Sequence, residues 1–384
     1  MFRKMPVILL AMILVIGIFH PWIPPFYQSL LYGISLSLKS LIVFILPFLI
    51  FGLLCKTAMQ LAKQASKWII LLLVGICISN FCSTMISYLI GHTAYQFDLS
   101  LPVPQETLSL MPIGDFSLPK LFNNSYAMIA GLVIGLFLGI FKPQYTEKFT
   151  FYIEKCVGVL LRMLLYIIPL FIVGFIVKML YDGVMGMILR NYGPIFILVV
   201  GAVFSYVGFI YWAVHRFDYQ AAIQSIKNML PATIVAFSSM SSAVAMPLTI
   251  LGVEKNTKGS DAGRSIIPAT VNVHLIGDCF AIPVFAFAIM KSFGFAEPSM
   301  FNYLIFALYF VLAKFSVASV PGGGILVMLP VLETYLGFTG EMLSLITTLY
   351  ILFDPVITAA NVLGNGGVAI GAGHFLNRNR TTEA

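Results

Sequence analysis

The stretch from Leu349 to Gly367 reads LYILFDPVITAANVLGNGG, an apolar run with a single carboxylate at Asp354. Thr358 and Asn361 follow four and seven residues later, so all three side chains share one face of a helix. A carboxylate at membrane depth costs roughly a few kcal/mol or more unless it is paired or hydrated. An acid, a hydroxyl and an amide on one helical face therefore indicate a binding strip for a ligand with an amine and a carboxylate. The alternative is an Asp at the membrane interface that caps the turn at Pro355.

Three groups of small residues interrupt the apolar pattern between about 230 and 375, at Ser238–Ser242, Pro321–Gly324 and Gly364–Gly367. Backbone amides freed by such breaks cannot face lipid, so they must line a cavity or be buried against protein. Interrupted segments at membrane depth are typical of the binding site of a transporter. Each group also fits a plainer interpretation, because small residues form close helix contacts and Pro-Gly runs form surface loops.

The composition places the whole chain in a membrane. Hydrophobic residues make up 60% of the 384 residues and charged residues only 10%, against roughly 25% in ordinary globular proteins. The net charge of +7 does not indicate nucleic acid, because Lys and Arg collect in short connections between apolar runs, as positive-inside loops do. The five Cys and five His residues show no spacing typical of a metal site.

The charge pattern also predicts a topology. With the N-terminus inside, most of the 22 Lys and Arg residues lie on the cytoplasmic side, provided that two segments near 232–250 and 315–335 enter and leave the membrane on one side. Met1 to Trp22 resembles a signal peptide, but no small-residue cleavage site follows Ile18, which favours a retained first span. Both termini are then cytoplasmic, and the tail is residues 376–384.

Four segments carry a resemblance to a known family. They are SSAVAMPLT at Ser241–Thr249, IIPATVNVHLIGDCF at Ile266–Phe280, VPGGGI at Val320–Ile325 and FDPVITAANVLGN at Phe353–Asn365. In this order and spacing they resemble the first hairpin, seventh helix, second hairpin and eighth helix of the dicarboxylate/amino acid:cation symporters, the glutamate transporter homologues. The chain resembles a divergent member, because the central motif of the seventh helix is rewritten.

The resemblance implies an all-α membrane protein with eight transmembrane helices and two re-entrant helical hairpins. It also implies a homotrimer in the inner (plasma) membrane whose transport parts move in elevator fashion. On this basis residues 1–155 form mainly scaffold and trimerisation helices, 156–230 are shared between the parts, and 231–375 form the transport core. The expected partners are lipid and an amino acid substrate.

The resemblance also implies roles for individual residues. Asp354 matches the family residue that holds the substrate amino group, and Asn361 matches the one that binds its α-carboxylate. Ser242 matches the hairpin serine that contacts the same carboxylate, and backbone amides around Val320 and Gly324 complete the grip. The expected substrate-binding residues are Ser241, Ser242, Val320, Gly324, Asp354, Thr358 and Asn361.

The departures from the family pattern concern the substrate side chain and the coupling ion. Ile357 stands where the family has the Arg that pairs with an acidic side chain, which favours a neutral amino acid. Ile276 and Asn365 stand where the family has two sodium-site carboxylates, and Lys314 lies at the start of the second hairpin, near a further sodium site. These changes should weaken sodium binding, because hard cations need several oxygen ligands.

His274 and Asp278 lie four residues apart and are predicted to face each other on one helix, where such a pair can relay protons. The candidate coupling residues are therefore His274, Asp278 and Asn365. Proton coupling, residual sodium coupling through Asp278, and exchange or loss of coupling with a purely structural pair all stay open. No cofactor and no resident metal are expected beyond Na⁺ or H⁺ as the coupling ion.

The sequence is compatible with three classes of function. The favoured one is a symporter of an amino acid, neutral rather than acidic. The alternatives are a sodium-driven dicarboxylate or glutamate symporter, and a substrate sensor or anion channel on the same fold. An enzyme is not expected, because the sequence shows no nucleophile–base pair and no metal cluster.

Overall fold

The computed structural model describes residues 5–63, 67–97, 110–119, 121–122, 124–183, 185–257, 262–317 and 322–382. In these ranges the regular structure is helical and contains no strand. The α-helices are α1 (Met5–Phe19), α2 (Pro25–Lys63), α3 (Lys67–Tyr95), α4 (Asn124–Phe141), α5 (Pro143–Tyr181), α6 (Met185–Val214), α7 (Tyr219–Ser239), α8 (Ser242–Asn256), α9 (Ala262–Thr270), α10 (Ile276–Ser292), α11 (Met300–Lys314), α12 (Gly323–Leu336) and α13 (Gly340–Thr382).

Four helical stretches in the described part of the chain are long and apolar enough to cross a membrane. They are Pro25–Met59, Leu71–Tyr95, Tyr192–Val214 and Gly340–Gly373. Several shorter apolar helices accompany them, among them Met300–Lys314 and Gly323–Leu336. The expectation of an all-α protein is therefore confirmed for the described residues, and the apolar helices are those of a membrane-embedded protein.

α2, α4 and α5 pack together in the first half of the chain. Gly131, Gly135 and Gly139 recur every four residues along α4 and let its backbone approach α2. An added Cβ at Gly131 would lie 2.7 Å from the carbonyl oxygen of Phe51, and one at Gly135 would lie 2.5 Å from that of Cys55. Such small-residue stripes are typical of helix contacts in membranes, where close packing replaces the hydrophobic effect.

α7 and α8 form a helical hairpin. Met240 and Ser241 make the turn, and Met240 adopts a left-handed conformation with φ of 51°. The far end of α8 is joined to the middle of α7 by a hydrogen bond of 2.6 Å from the amide nitrogen of Asn228 to the amide oxygen of Asn256. The tip lies within the predicted segment 232–250, but the arms extend from 219 to 256, since α7 begins at its N-cap Asp218 and α8 continues to Asn256.

α11 and α12 form a second hairpin, with stacked rings of Tyr309 and Tyr335 4.4 Å apart. Gly322 precedes α12 with φ of 74°, a conformation that favours glycine. The predicted segment 315–335 contains only the tip and the second arm. The first arm, α11, is an apolar helix without Gly or Pro, so its sequence does not mark it as part of a hairpin. Lys314 therefore ends the first arm instead of starting the hairpin.

α9 and α10 are two halves of an interrupted helix. Residues 271–275 between them are not helical, and the prediction of one continuous helix through His274 and Asp278 is wrong. Asn80 of α3 satisfies the open backbone, since its amide nitrogen donates to the Val273 carbonyl at 2.7 Å and its oxygen accepts from Leu275 N–H at 3.3 Å. α10 itself is buried along nearly its whole length.

α13 runs without interruption through Gly364–Gly367, so the predicted break at this run is wrong. These glycines are packing positions. An added Cβ at Gly366 would lie 2.3 Å from the Met229 side chain and 3.1 Å from the Tyr211 hydroxyl. The Tyr211 hydroxyl also donates to the Leu363 carbonyl at 2.9 Å, which holds α6 against α13. Close packing offsets the low helix propensity of glycine here.

Candidate functional site

Both hairpin tips, the interruption between α9 and α10, and the middle of α13 meet around one small cavity of about 30 Å³. That volume holds about two water molecules. The lining combines backbone and polar side chains from these four places with a few apolar ones. It consists of Met240, Ser242, Val271, Asn272, Leu275, Asp278, Val317, Gly324, Tyr350, Asp354, Thr358 and Asn361.

Asp354 lies in this cavity wall with only 4% of its surface exposed. One carboxylate oxygen accepts the Gly322 N–H at 2.9 Å, and the other accepts the Thr358 hydroxyl at 2.9 Å. Both donors are uncharged, and no ion pair to Asp354 occurs within the described ranges. The N-terminus of α12 points at this carboxylate, which its partial positive charge favours. Asp354 therefore has no counter-charge among the described residues.

Thr358 and Asn361 line the same cavity as Asp354, as their spacing along α13 predicts. The amide oxygen of Asn361 accepts the Gly277 N–H at 2.7 Å. That bond orients the amide so that its NH₂ group is the part left to meet a ligand. Ser242, the first residue of α8, also lines the cavity and carries a hydroxyl. Two donor groups suited to a carboxylate thus lie beside an acceptor suited to an amine.

The other three residues predicted to bind the substrate, Ser241, Val320 and Gly324, differ in where they lie. Gly324 lines the cavity, and an added Cβ there would lie 2.3 Å from the Tyr350 hydroxyl, so only glycine lets α12 approach this closely. Ser241 is the N-cap of α8, where its hydroxyl accepts the Val244 N–H at 3.4 Å. Val320 lies outside the described residues.

Asp278 is the second buried carboxylate of the cavity, with 1% exposed. Lys314 donates to one of its oxygens at 3.1 Å, and the Tyr350 hydroxyl donates to the other at 2.7 Å. The Lys314 ammonium is fully buried and lies 4.2 Å from the centre of the Phe310 ring. Asp278 therefore has both a cation and a neutral donor from the chain itself.

The other coupling candidates lie apart from this pair. His274 does not face Asp278, because the helix is interrupted between them; its Nε2 is 3.0 Å from the Ser79 hydroxyl of α3. Its Nδ1 is buried without a hydrogen bond among the described residues. Asn365 accepts the Thr270 hydroxyl at 2.7 Å and does not line the cavity. The geometry of the predicted proton relay is wrong.

These contacts also decide how well a sodium ion fits the described residues. The candidate oxygen ligands already accept bonds from the chain: Asp278 from Lys314, Asn361 from Gly277 N–H, and Asn365 from Thr270. Ile276 supplies no oxygen from its side chain. Within the described part of the chain, no group of three or more His, Cys, Asp or Glu is placed to hold a metal ion. These residues do not fit a sodium ion beside Asp278.

Sequence reasoning missed several residues of the site. Tyr350 bonds Asp278 although it lies in an apolar run, where its hydroxyl gives no local signal. Lys314 stands out in the sequence by its position, but its partner Asp278 lies 36 residues earlier. Asn272 and Met240 line the cavity only because the backbone turns at these points. The one available signal was the lysine itself, since a charge in an apolar helix indicates a partner.

Comparison with known proteins agrees with this architecture. Residues 5–375 match the sodium:dicarboxylate symporter family, nearly the whole chain. An excitatory amino acid transporter of Caenorhabditis elegans is 31% identical over 150 residues, which cover 38% of this chain and 29% of that protein. An excitatory amino acid transporter of Onchocerca volvulus is similar at the same identity and coverage. The chain thus matches less than a third of the length of these relatives. With a family of symporters matched from residue 5 to residue 375, the chain belongs to the sodium:dicarboxylate symporter family.

Proposed function

We propose that this chain carries an amino acid with an uncharged side chain across the membrane. The observation that supports this most is Asp354, a buried carboxylate whose described partners are neutral donors. A ligand ammonium supplies the missing charge. In this proposal the NH₂ group of Asn361 and the hydroxyl of Ser242 donate to the ligand carboxylate, which their presence in the cavity lining supports.

The charges of the cavity favour a neutral over an acidic side chain. Lys314, just behind the lining, balances Asp278, so Asp354 leaves one net negative charge at the cavity among these described residues. An acidic substrate adds a second carboxylate, and the arginine position of the family is Ile357, which is 1% exposed and packs in the apolar core. Unpaired like charges in a buried site cost several kcal/mol.

The cavity is too small for an amino acid while both tips are in place, so we infer that the second hairpin moves to admit the ligand. Gly322 holds this tip against Asp354 through its N–H, and a ligand ammonium competes for the same carboxylate. The eight spans of the proposed architecture are α1 to α6, α9 with α10, and α13. The pairs α7–α8 and α11–α12 are then the re-entrant hairpins.

The larger assembly follows from the resemblance. We propose a homotrimer in the plasma membrane, with both termini cytoplasmic, whose transport parts shift against a scaffold formed mainly by α2, α4 and α5. The tight α2–α4 contact through Gly131, Gly135 and Gly139 supports a rigid scaffold. Single-molecule mass measurement in detergent tests the trimer.

Uptake into proteoliposomes tests the substrate class. The purified chain is reconstituted and offered labelled neutral, acidic and basic amino acids, one at a time, with empty liposomes as the blank. We expect saturable uptake of at least one neutral amino acid, and uptake of glutamate and aspartate that is weaker by about 100-fold, since a like charge costs several kcal/mol.

Two results would overturn the proposal. Faster uptake of glutamate than of any neutral amino acid would establish the dicarboxylate alternative. Specific binding of an amino acid, seen as a raised melting temperature, without uptake of any would favour a sensor or channel on the same fold. Coupling to H⁺ or Na⁺ stays a prediction at this point.

A further inference from the structure

A buried ion pair joins the second hairpin to the interrupted helix. Lys314 is the last residue of α11, next to the hairpin tip, and Asp278 lies in the first turn of α10. The side chain of Lys314 is 0% exposed and that of Asp278 is 1% exposed, and the joining distance is 3.1 Å. Tyr350 of α13 donates to the second carboxylate oxygen at 2.7 Å. Residues of α10, α11 and α13 thus meet at one carboxylate of the cavity wall.

Burying an ion pair has a free-energy cost that packing alone does not explain. Burying two charges removes them from water, and apolar residues of the same volume commonly stabilise a protein as well or better. Intramembrane charges are therefore functional by default. Here Asp278 lines the same cavity as Asp354, and Lys314 contacts it from just behind the lining; α12 approaches so closely that an added Cβ at Gly324 would lie 3.0 Å from the Asp278 carboxylate.

The Lys314 ammonium is bound to the Asp278 carboxylate, which is the kind of ligand that a dissolved cation needs. A sodium ion binds through several oxygens, usually with a carboxylate among them. Asp278 is the cavity carboxylate that belongs to the interrupted helix, and its two oxygens accept from Lys314 and Tyr350. The amide oxygens of Asn361 and Asn365 accept from donors of the chain as well. The chain supplies its own positive charge at this point.

We propose that the Lys314 ammonium is a resident cation, which balances Asp278 in place of a dissolved coupling ion and makes amino acid transport independent of sodium. The inference rests on the proposed function, because it concerns the ion requirement of that transport. Because this positive charge is part of the chain, Asp278 has a counter-charge without recruiting an ion.

Substituting the lysine tests this directly. Lys314→Met keeps an unbranched, flexible stem but leaves Asp278 as an unpaired buried carboxylate, which then has to recruit a cation. We expect that replacing Na⁺ by choline at equal ionic strength changes wild-type uptake by less than twofold, and lowers uptake by Lys314→Met at least tenfold. The melting temperature of the purified variant should rise with added NaCl, while that of the wild type should not.

Three further variants sharpen the result. In Lys314→Met/Asp278→Asn the carboxylate is gone, so the response to sodium should disappear. Lys314→Arg keeps the charge and should stay independent of sodium. Lys291→Met removes a lysine of the same helix as Asp278 whose ammonium lies 4.8 Å from the Tyr95 ring, outside the cavity lining, and should behave as the wild type.

The outcomes separate this inference from the proposed function. Wild-type uptake driven by a sodium gradient overturns the inference and leaves the amino acid carrier standing. Failure of the wild type to take up any amino acid overturns the carrier, and the melting temperatures still test the resident cation. A folded Lys314→Met that responds to none of Na⁺, K⁺ and Li⁺ also overturns the inference. If Lys314→Met does not fold, the sodium dependence of uptake by the wild type and by Lys314→Arg tests the inference instead.

Discussion

Asp278 and Asp354 line one cavity and are about equally buried, yet they are neutralised in opposite ways. Asp278 has a cation of the chain, Lys314, and a tyrosine hydroxyl. Asp354 has a backbone N–H and a threonine hydroxyl, and within the described residues no cation. A buried carboxylate without a counter-charge is costly unless something provides one. The difference indicates that one carboxylate belongs to the architecture and the other to the ligand.

Removing the charge of Asp354 should have the largest effect on ligand binding. We expect Asp354→Asn to weaken amino acid binding by about 30-fold or more, since losing one partner of a buried charge pair costs roughly 2–5 kcal/mol. Folding should be preserved, because an uncharged amide removes a buried charge that had no cation. Equilibrium binding of labelled substrate to the purified protein measures this.

The matched control is Glu254→Gln, which removes a carboxylate from an exposed ion pair with Arg264 far along the first hairpin. Exposed pairs contribute little, so binding should be unchanged. If Asp354→Asn binds the substrate as tightly as this control does, Asp354 is not the amine site.

Tyr350→Phe probes the other carboxylate. It removes the hydroxyl that donates to Asp278 at 2.7 Å and leaves the ring in place. A hydrogen bond to a charged group contributes roughly 1.5–3 kcal/mol, so we expect a lower melting temperature and a substrate affinity that changes less than in Asp354→Asn. A loss of affinity as large as that of Asp354→Asn, with an unchanged melting temperature, would show that Asp278 also binds the ligand.

The separation of the two carboxylates could be predicted from sequence only in part. The strip of Asp354, Thr358 and Asn361 follows from helical spacing, and the hairpin tips follow from serine and glycine runs. The pairing of Asp278 could not be predicted, because the interruption at 271–275 contains neither glycine nor proline. It is held open by Asn80, whose amide bonds residues almost 200 positions away.

The same reasoning explains the false break at Gly364–Gly367. A run of glycines in an apolar segment predicts an interruption as readily as a tight contact, and only the neighbours distinguish the two. Here Met229 and Tyr211, both from other helices, fill the space beside the run. Local patterns therefore locate glycine and serine, whereas the role of each is decided by residues distant in the sequence.

Gly324 tests whether the close approach of α12 is needed by both carboxylates. In Gly324→Ala the added methyl group meets the Tyr350 hydroxyl at 2.3 Å and the Asp278 carboxylate at 3.0 Å, so the tip has to shift. Overpacking costs roughly 1–3 kcal/mol, and we expect a lower melting temperature together with slower uptake. Gly201→Ala is the matched control, because nothing lies within 4 Å of its added Cβ and both properties should stay as in the wild type. Equal melting temperatures and equal uptake in the two variants would contradict the close packing of α12 at Gly324.

The smallest effects are expected at the tip of the first hairpin, where two adjacent serines have different surroundings. Ser241 caps α8, so Ser241→Ala should lower the melting temperature, at a cost of roughly 0.5–2 kcal/mol, and leave affinity near the wild-type value. Ser242 lines the cavity beside Asp354, so Ser242→Ala should weaken binding by roughly 2- to 10-fold, the equivalent of one hydrogen bond, with little change in melting temperature. Thermal melts and substrate titrations on both variants separate a cap from a ligand contact. A reversed pattern would assign the substrate contact to Ser241 and contradict the proposed hydrogen bond from Ser242 to the ligand carboxylate.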